Sequence, residues 1–278
     1  MASKKSKIAS SSSSSSSSSC NWAELPPELI SSILIRLSTV DILKAQMVCR
    51  SWRRVSKDPS MWRIIELELI SEDMCRRAID LSDGGLIEIF IGVKNLGEAI
   101  LAYMADRSSL LRSLTLSCRS CYSFFPEEIF LEAVVKFPLL EYLHVPSFIF
   151  SRESLRVVGK SCPNLKTLKL HHPPSSRVAD DSIAIIIADS MPGLRHLDLC
   201  GHPLSNMGLK AILDGCPHLE CLDLRKCFHI DLSGNLEKRC LERIKYLRRP
   251  NDYPPETEEE SYLLDILSDS GLLDPPSD

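Results

Sequence analysis

The chain has 278 residues, 44% of them apolar and 25% charged, with a formal net charge of −4. These values suit one large or two modest soluble domains, and the scattered Lys and Arg residues lack the clustered basic face of a nucleic-acid binder. No apolar run approaches the roughly 18 to 20 residues that span a bilayer, so no membrane partner is expected and the location is cytoplasmic, nuclear or both.

Residues 1–20 open with Lys4, Lys5 and Lys7 and continue as an unbroken serine run from Ser10 to Ser19. So little apolar surface cannot offset the entropy of ordering, which predicts a disordered Ser-rich tail. From Trp22 the pattern is helical. Pro27 stands at a favoured first helical position, and Ile30, Ile33, Leu34 and Leu37 recur at i, i+3, i+4 and i+7 as one apolar stripe. Ser38 with Asp41 reads as a capping box opening a second helix through Ile42, Leu43 and Met47. A third short helix, carrying Trp52, is predicted from Arg50 to Lys57, where Asp58-Pro59 stops it. Three helices of this length bury little among themselves, so their apolar faces call for a partner.

Beyond this point the chain repeats. The spacing L-x-x-L-x-L occurs at Leu111, Leu114, Leu116 and again at Leu140, Leu143, Val145; Leu165, Leu168, Leu170; Leu194, Leu197, Leu199; and Leu219, Leu222, Leu224. Weaker copies are Ile64, Leu67, Leu69 and Leu86, Ile89, Ile91. Between the middle residues of successive copies, Leu67 through Leu222, the periods are 22, 25, 29, 25, 29 and 25 residues, within the range of leucine-rich repeats. Each interval carries a helical stretch, and Phe137-Pro138, Cys162-Pro163, Met191-Pro192 and Cys216-Pro217 end the helix and turn the chain into the next strand. A last partial copy, Leu241, Ile244 and Tyr246, is short enough to be either a strand or a capping helix. From Asn251 to Asp278 nine carboxylates and no Lys or Arg predict an acidic tail, in which Tyr262, Leu263, Leu264, Ile266 and Leu267 form an apolar patch.

The run Leu25-Pro26-Pro27-Glu28-Leu29-Ile30, then Val48-Cys49-Arg50-Ser51-Trp52-Arg53-Arg54, then Asp58-Pro59-Ser60-Met61-Trp62 closely resembles an F-box. With the repeats behind it, the chain resembles the F-box/leucine-rich-repeat proteins that abound in plants. The resemblance implies an α/β architecture: a three-helix F-box over 21–69, a leucine-rich-repeat solenoid with a curved parallel sheet and outer helices over 70–247, and an acidic tail over 248–278. It also implies a function without catalysis. The F-box would dock on a Skp-type adaptor and through it a cullin, while the repeats hold a protein substrate for ubiquitin transfer. Leu25, Pro26, Ile30, Leu34, Leu37, Leu43, Val48 and Trp52 are then expected at the adaptor contact or in the core just behind it, and Trp62 at the junction with the solenoid. Two alternatives remain open: a heterodimer with the adaptor outside any ligase, and a concave face that takes a small molecule before its protein substrate.

Strand geometry nominates the substrate surface. The leucines of each copy point inward, so the residues between and beyond them face outward on the concave sheet. In chain order they include Thr115, Tyr142, His144, Lys169, His171, His196, Asp198, Asp223 and Arg225. No cofactor or metal is expected. Cys118 and Cys121, and the group Cys216, Cys221, Cys227, His218 and His229, suggest zinc at first sight. The repeat register accounts for most of them as small buried side chains before proline or just past a strand. The chain's eleven cysteines are odd in number and have no secretory address, which argues for reduced thiols. No nucleophile elbow, zinc-protease motif, phosphate-binding loop or dinucleotide fingerprint occurs, and no enzymatic activity is expected.

Overall fold

The computed structural model describes residues 22–67, 71–92, 98–117, 127–146, 151–172 and 178–252. The serine tail, the Cys118 and Cys121 pair and the apolar patch of the acidic tail lie outside these residues. The chain opens with a helical module of α1 (Pro27–Leu34), α2 (Thr39–Ala45) and α3 (Arg50–Val55). Pro27 sits at the first turn of α1, where a missing N–H costs nothing. Ser38 caps α2: its hydroxyl accepts from the Asp41 N–H at 3.2 Å and donates to the Asp41 carboxylate at 2.8 Å. Helix α3 ends at Val55, two residues short of the predicted Lys57, and the Asp58 carboxylate then accepts from the Ser60 N–H at 3.0 Å to hold the turn around Pro59.

Eight strands among the described residues form one parallel sheet in sequence order. They are β1 (Ile64–Leu67), β2 (Glu88–Gly92), β3 (Ser113–Ser117), β4 (Tyr142–Pro146), β5 (Thr167–His171), β6 (His196–Asp198), β7 (Cys221–Asp223) and β8 (Tyr246–Arg248). Between them run α4 (Glu72–Leu81), α5 (Glu98–Ala105), α6 (Glu127–Val134), α7 (Arg152–Ser161), α8 (Ser182–Ser190), α9 (Asn206–Gly215) and α10 (Gly234–Arg243). No described helix is long and apolar enough to cross a membrane.

Strand pairing places Ile89, Leu114, Leu143, Leu168, Leu197 and Leu222 side by side. These residues form one core with Ala133, Val134, Leu155, Val158, Ile187, Leu209 and Ile212 of the helices. The helices therefore line the leucine face, and the residues between the leucines face away from them.

Pairing also moves both ends of the repeat pattern. Ile65, not Leu67, lies opposite Ile89, so the first copy reads Trp62, Ile65, Leu67 and its period is 24 residues. Trp62 takes the place of the first leucine. It is 1% exposed, and its indole N–H donates to the Ser56 carbonyl at 2.8 Å. At the other end Leu247 lies opposite Leu222. The last copy is Ile244 and Leu247, a strand following α10, while Leu241 stands exposed on the helix.

Three of the four proline steps share one geometry, whereas at Phe137 the N–H bonds three residues back, to the Val134 carbonyl. Cys162, Met191 and Cys216 follow their helices with φ between −112° and −132°. Each N–H closes the helix on the residue four back, at 2.9 Å. All three side chains are buried, as is Phe137. The Cys162 thiol donates to the Phe137 carbonyl and the Cys216 thiol to that of Met191, both at 3.7 Å, so each contacts the turn of the preceding repeat.

Candidate functional site

Two surfaces carry chemistry, and the first is on the helical module. Ile30, Leu34 and Ala45 form a small core, against which Leu25, Trp52, Val55 and Met61 pack partly buried. Leu43 is 8% exposed and belongs with Ile42 to the solenoid core instead. Of the residues nominated from sequence, Ile30, Leu34 and Leu43 are thus interior and present no contact surface. Leu25 and Trp52 are half-buried, and Pro26, Leu37 and Val48 are exposed.

The structure adds others that the helical stripe did not single out. Trp22, Leu29, Ile35 and Met47 are all at least half exposed, Met47 at 75%. Ile35 and Leu37 lie in the α1–α2 turn, Met47 and Val48 in the α2–α3 turn. The available signal was that apolar residues fall off the buried stripe as well as on it, which in a surface helix marks a face awaiting a partner.

The second surface is the sheet face turned away from the helices. Register aligns it in rows. One row runs Glu66, Phe90, Thr115, His144, Lys169, Asp198, Asp223, Arg248 from β1 to β8. Beside it runs Ile64, Glu88, Ser113, Tyr142, Thr167, His196, Cys221, Tyr246. Of the nominated residues, Thr115, Tyr142, His144, Lys169, His196, Asp198 and Asp223 lie in these two rows, His171 stands two positions further along β5 and Arg225 just past β7, and they are not uniformly open to solvent. Lys169, Asp198, Asp223 and Arg225 are between 6% and 7% exposed.

The buried charges are tied together. His171 Nε2 meets Asp198 Oδ2 at 2.8 Å, and the Cys200 N–H donates to Asp198 Oδ1 at 2.9 Å. Burial alone would raise the Asp198 pKa, but His171 beside it outweighs this and holds the carboxyl below its ordinary range. Arg225 folds back along its own strand onto Asp223, with Nε at 2.9 Å and Nη2 at 2.6 Å from Oδ2, and Arg248 Nη1 reaches the same oxygen at 3.2 Å. The Lys169 ammonium lies 5.3 Å from the Tyr142 ring centroid, and the His144 ring meets His171 edge-on at 4.8 Å. Desolvation, then the neighbouring His171, pushes the His144 pKa down to about 3. This arrangement orients hydrogen-bonding groups over a sheet. It does not pair a nucleophile with a base.

Among the described residues no group of three or more His, Cys, Asp or Glu is placed to hold a metal ion. Burial pushes the thiols of Cys162 and Cys227 up to about 12 and that of Cys216 to about 11, which keeps them protonated and unreactive at neutral pH.

Residues 22–68 match the F-box-like family. The chain is 55% identical to F-box/LRR-repeat protein 23 of Arabidopsis thaliana over 84% of its own length and 54% of the relative, so it spans about half of that protein. It is 50% identical to F-box/LRR-repeat protein 22 of the same plant, over 91% of this chain and 83% of the relative. With F-box protein SKIP19 it shares 53% identity, over 84% of this chain and 78% of the relative. This chain belongs to the F-box/LRR-repeat family. The fold of its F-box and repeats is also similar to a chain in the crystal structure of the yeast Rad7 and Elc1 complex, with a TM-score of 0.52 at 13% identity, covering 81% of this chain and 66% of that one. The helical module is thus the F-box, and the strand–helix units are its leucine-rich repeats.

Proposed function

We propose that the chain is the substrate-recognition subunit of an SCF-type cullin-RING ubiquitin ligase, bound to a Skp-type adaptor through the F-box and presenting a protein substrate on the repeats. The observation that carries this reading is the apolar surface left on the F-box. Ile35, Leu37, Met47 and Val48 are between 37% and 75% exposed in the two turns of a module whose own core is already closed. Apolar patches of this kind on a small module mark protein interfaces. The name of SKIP19 as an F-box protein and the capture of Rad7 in a complex with Elc1 agree with a partner-bound role. On this reading Leu25, Pro26, Leu37, Val48 and Trp52 contact the adaptor or support the contact, with Ile30, Leu34 and Leu43 as the interior behind them. Thr115, Tyr142, His144, Lys169, His171, His196, Asp198, Asp223 and Arg225 form the substrate face. The chain's contribution to ubiquitin transfer is then effective concentration and orientation, the bond-making groups being supplied by other subunits.

The test uses exposed residues, because truncating half-buried Leu25 would confound binding with folding. Met47→Asp with Val48→Asp should leave the melting temperature unchanged and weaken adaptor binding at least 100-fold, about 2.7 kcal/mol or more. Undiminished affinity by calorimetry sinks the proposal. Purification of the wild-type chain from plant cells under proteasome inhibition should recover adaptor and cullin together; recovery of adaptor alone would favour the heterodimer.

A further inference from the structure

We infer that α3 carries a second docking surface on the F-box, a row of unpaired basic side chains that steers an acidic strip of the adaptor into place. The inference rests on the adaptor-docking reading above and adds the chemistry of the partner's surface and the step of binding that it governs.

Charge distribution is the first observation. Residues 22–63 carry seven Lys and Arg against four Asp and Glu, a net of +3 in a chain whose formal net charge is −4. Arg50, Arg54 and Lys57 stand at i, i+4 and i+7, and the helical backbone continues through Ser56, so the three share one face over about 10 Å. All three are exposed. The opposite face of α3 is the one that packs, with Trp52 and Val55 against Ile30, Leu34 and Ala45.

Pairing comes next. Among the described residues Arg50, Arg54 and Lys57 make no ion pair, side-chain hydrogen bond or ring contact. Arg53, on the same face, does not count with them: its Nε donates to the Gln46 carbonyl at 2.8 Å and ties α3 to the end of α2. On the repeats the outer helices neutralise their cations locally. Arg76 meets Glu72 at 2.5 Å, Lys136 meets Asp106 at 2.6 Å and Arg239 meets Asp214 at 2.5 Å. The F-box has such a pair among the described residues only at Lys44, 3.4 Å from Asp41. Like charges four residues apart destabilise a helix, and an acidic partner relieves that repulsion.

Continuity selects the partner. Arg50 follows the exposed Met47 and Val48 by less than a turn of helix, and Arg36 stands between exposed Ile35 and Leu37 in the other turn, likewise without an ion pair among the described residues. A surface that covers these apolar side chains meets a cation beside each pair. That combination suits a folded protein with carboxylates around an apolar patch, since a polyphosphate offers nothing to Met47 or Val48. Charges at the rim of an interface act chiefly on the rate of encounter, whereas desolvated apolar contacts set the lifetime of the complex. The basic row is thus the steering element, and Met47 and Val48 are the holding one.

The test mixes the full chain with a fluorescently labelled Skp-type adaptor in a stopped-flow instrument, at salt concentrations from about 20 to about 500 mM. Arg50→Glu with Arg54→Glu and Lys57→Glu should slow association at least tenfold at the lowest salt and abolish its decline with salt, while changing dissociation less than about threefold. The neutral set Arg50→Gln, Arg54→Gln and Lys57→Gln should fall between that variant and the wild type, and it carries the test if the Glu variant fails to fold. Wild-type association independent of salt, equal association rates for all three proteins, or a loss confined to dissociation would each overturn the inference. Equal rates together with lost retention on duplex DNA or phosphatidylserine vesicles would overturn it too and assign the row to a polyanion. A wild-type chain that binds no adaptor at any salt sinks the receptor reading and this inference together, whereas binding with unmoved rates sinks this inference alone.

Discussion

His202 is 4% exposed, just beyond β6, with its ring 5.2 Å from that of His172. Desolvation, then the charge of His172, lowers its pKa from 6.5 to about 4. In the folded state it therefore stays neutral at a pH where the unfolded chain already binds a proton. The linkage runs one way: stability conferred by the neutral ring is complete well above pH 6.5 and is lost as pH falls from there toward 4, below which no further loss comes from this group. Between pH 7 and pH 5 the loss is about 2 kcal/mol. His144 acts in the same direction, and so does Asp198, whose lowered carboxyl pKa withdraws its contribution at more acid pH. A melting curve at pH 5 should lie several degrees below one at pH 7. His202→Gln should remove a substantial part of that difference, and an unchanged difference would mean that the ring is hydrated. None of this was legible in the sequence. Alternation along a strand puts Lys169 and Asp198 on the outer face, which is where they are. It says nothing of what lies over that face, so a reversal of charge at Lys169, Asp198 or Arg225 breaks a buried network instead of repainting a surface.

Helices α7, α8 and α9 approach one another closely, and small residues make it possible. A Cβ at Gly159 would stand 2.9 Å from the Ser190 carbonyl oxygen, and one at Gly215 would stand 2.4 Å from that of Ala188. In an exposed helix Gly→Ala stabilises by about 0.5 to 1 kcal/mol. At Gly215 the backbone of the neighbouring helix occupies the space, so Gly215→Ala should instead destabilise by about 1 to 3 kcal/mol in urea unfolding; a stabilised variant would show that α8 and α9 stand further apart. The repeats were readable at this scale because leucine spacing and X-Pro steps encode strand and turn directly. The two terminal units were misread for a chemical reason: Trp62 fills the first leucine position of the opening copy, and the closing copy begins at Ile244, so a search for leucines slipped by two residues at one end and by three at the other.

At the scale of the whole molecule the F-box is the N-terminal cap of the solenoid. Ile42 and Leu43 of α2, with Trp62, belong to the same apolar core that continues through the repeats to Ile244, whereas Ile30, Leu34 and Ala45 close a separate core on the other side of that helix. The Thr39 hydroxyl accepts from the Glu66 N–H at 2.9 Å, a side chain of α2 pairing with the backbone of the first strand. Repeat arrays need their open ends covered, and α2 covers this one while binding α1 and α3 on its opposite side. The mechanical consequence is a fixed angle between the F-box and the concave face, which a receptor requires if a substrate is to be held at a constant distance from the adaptor. The two parts should therefore unfold together. Tryptophan fluorescence, from Trp22, Trp52 and Trp62, reports the F-box and its junction with the repeats, and far-UV circular dichroism reports mainly the repeats. In the wild-type chain both should follow one transition, and Leu43→Ala, which opens a cavity in the shared core, should shift both by the same amount, about 2 to 5 kcal/mol. Two separate transitions, with only one moved by the substitution, would show that the F-box and the repeats are joined by a hinge and that their relative orientation is set by the partners.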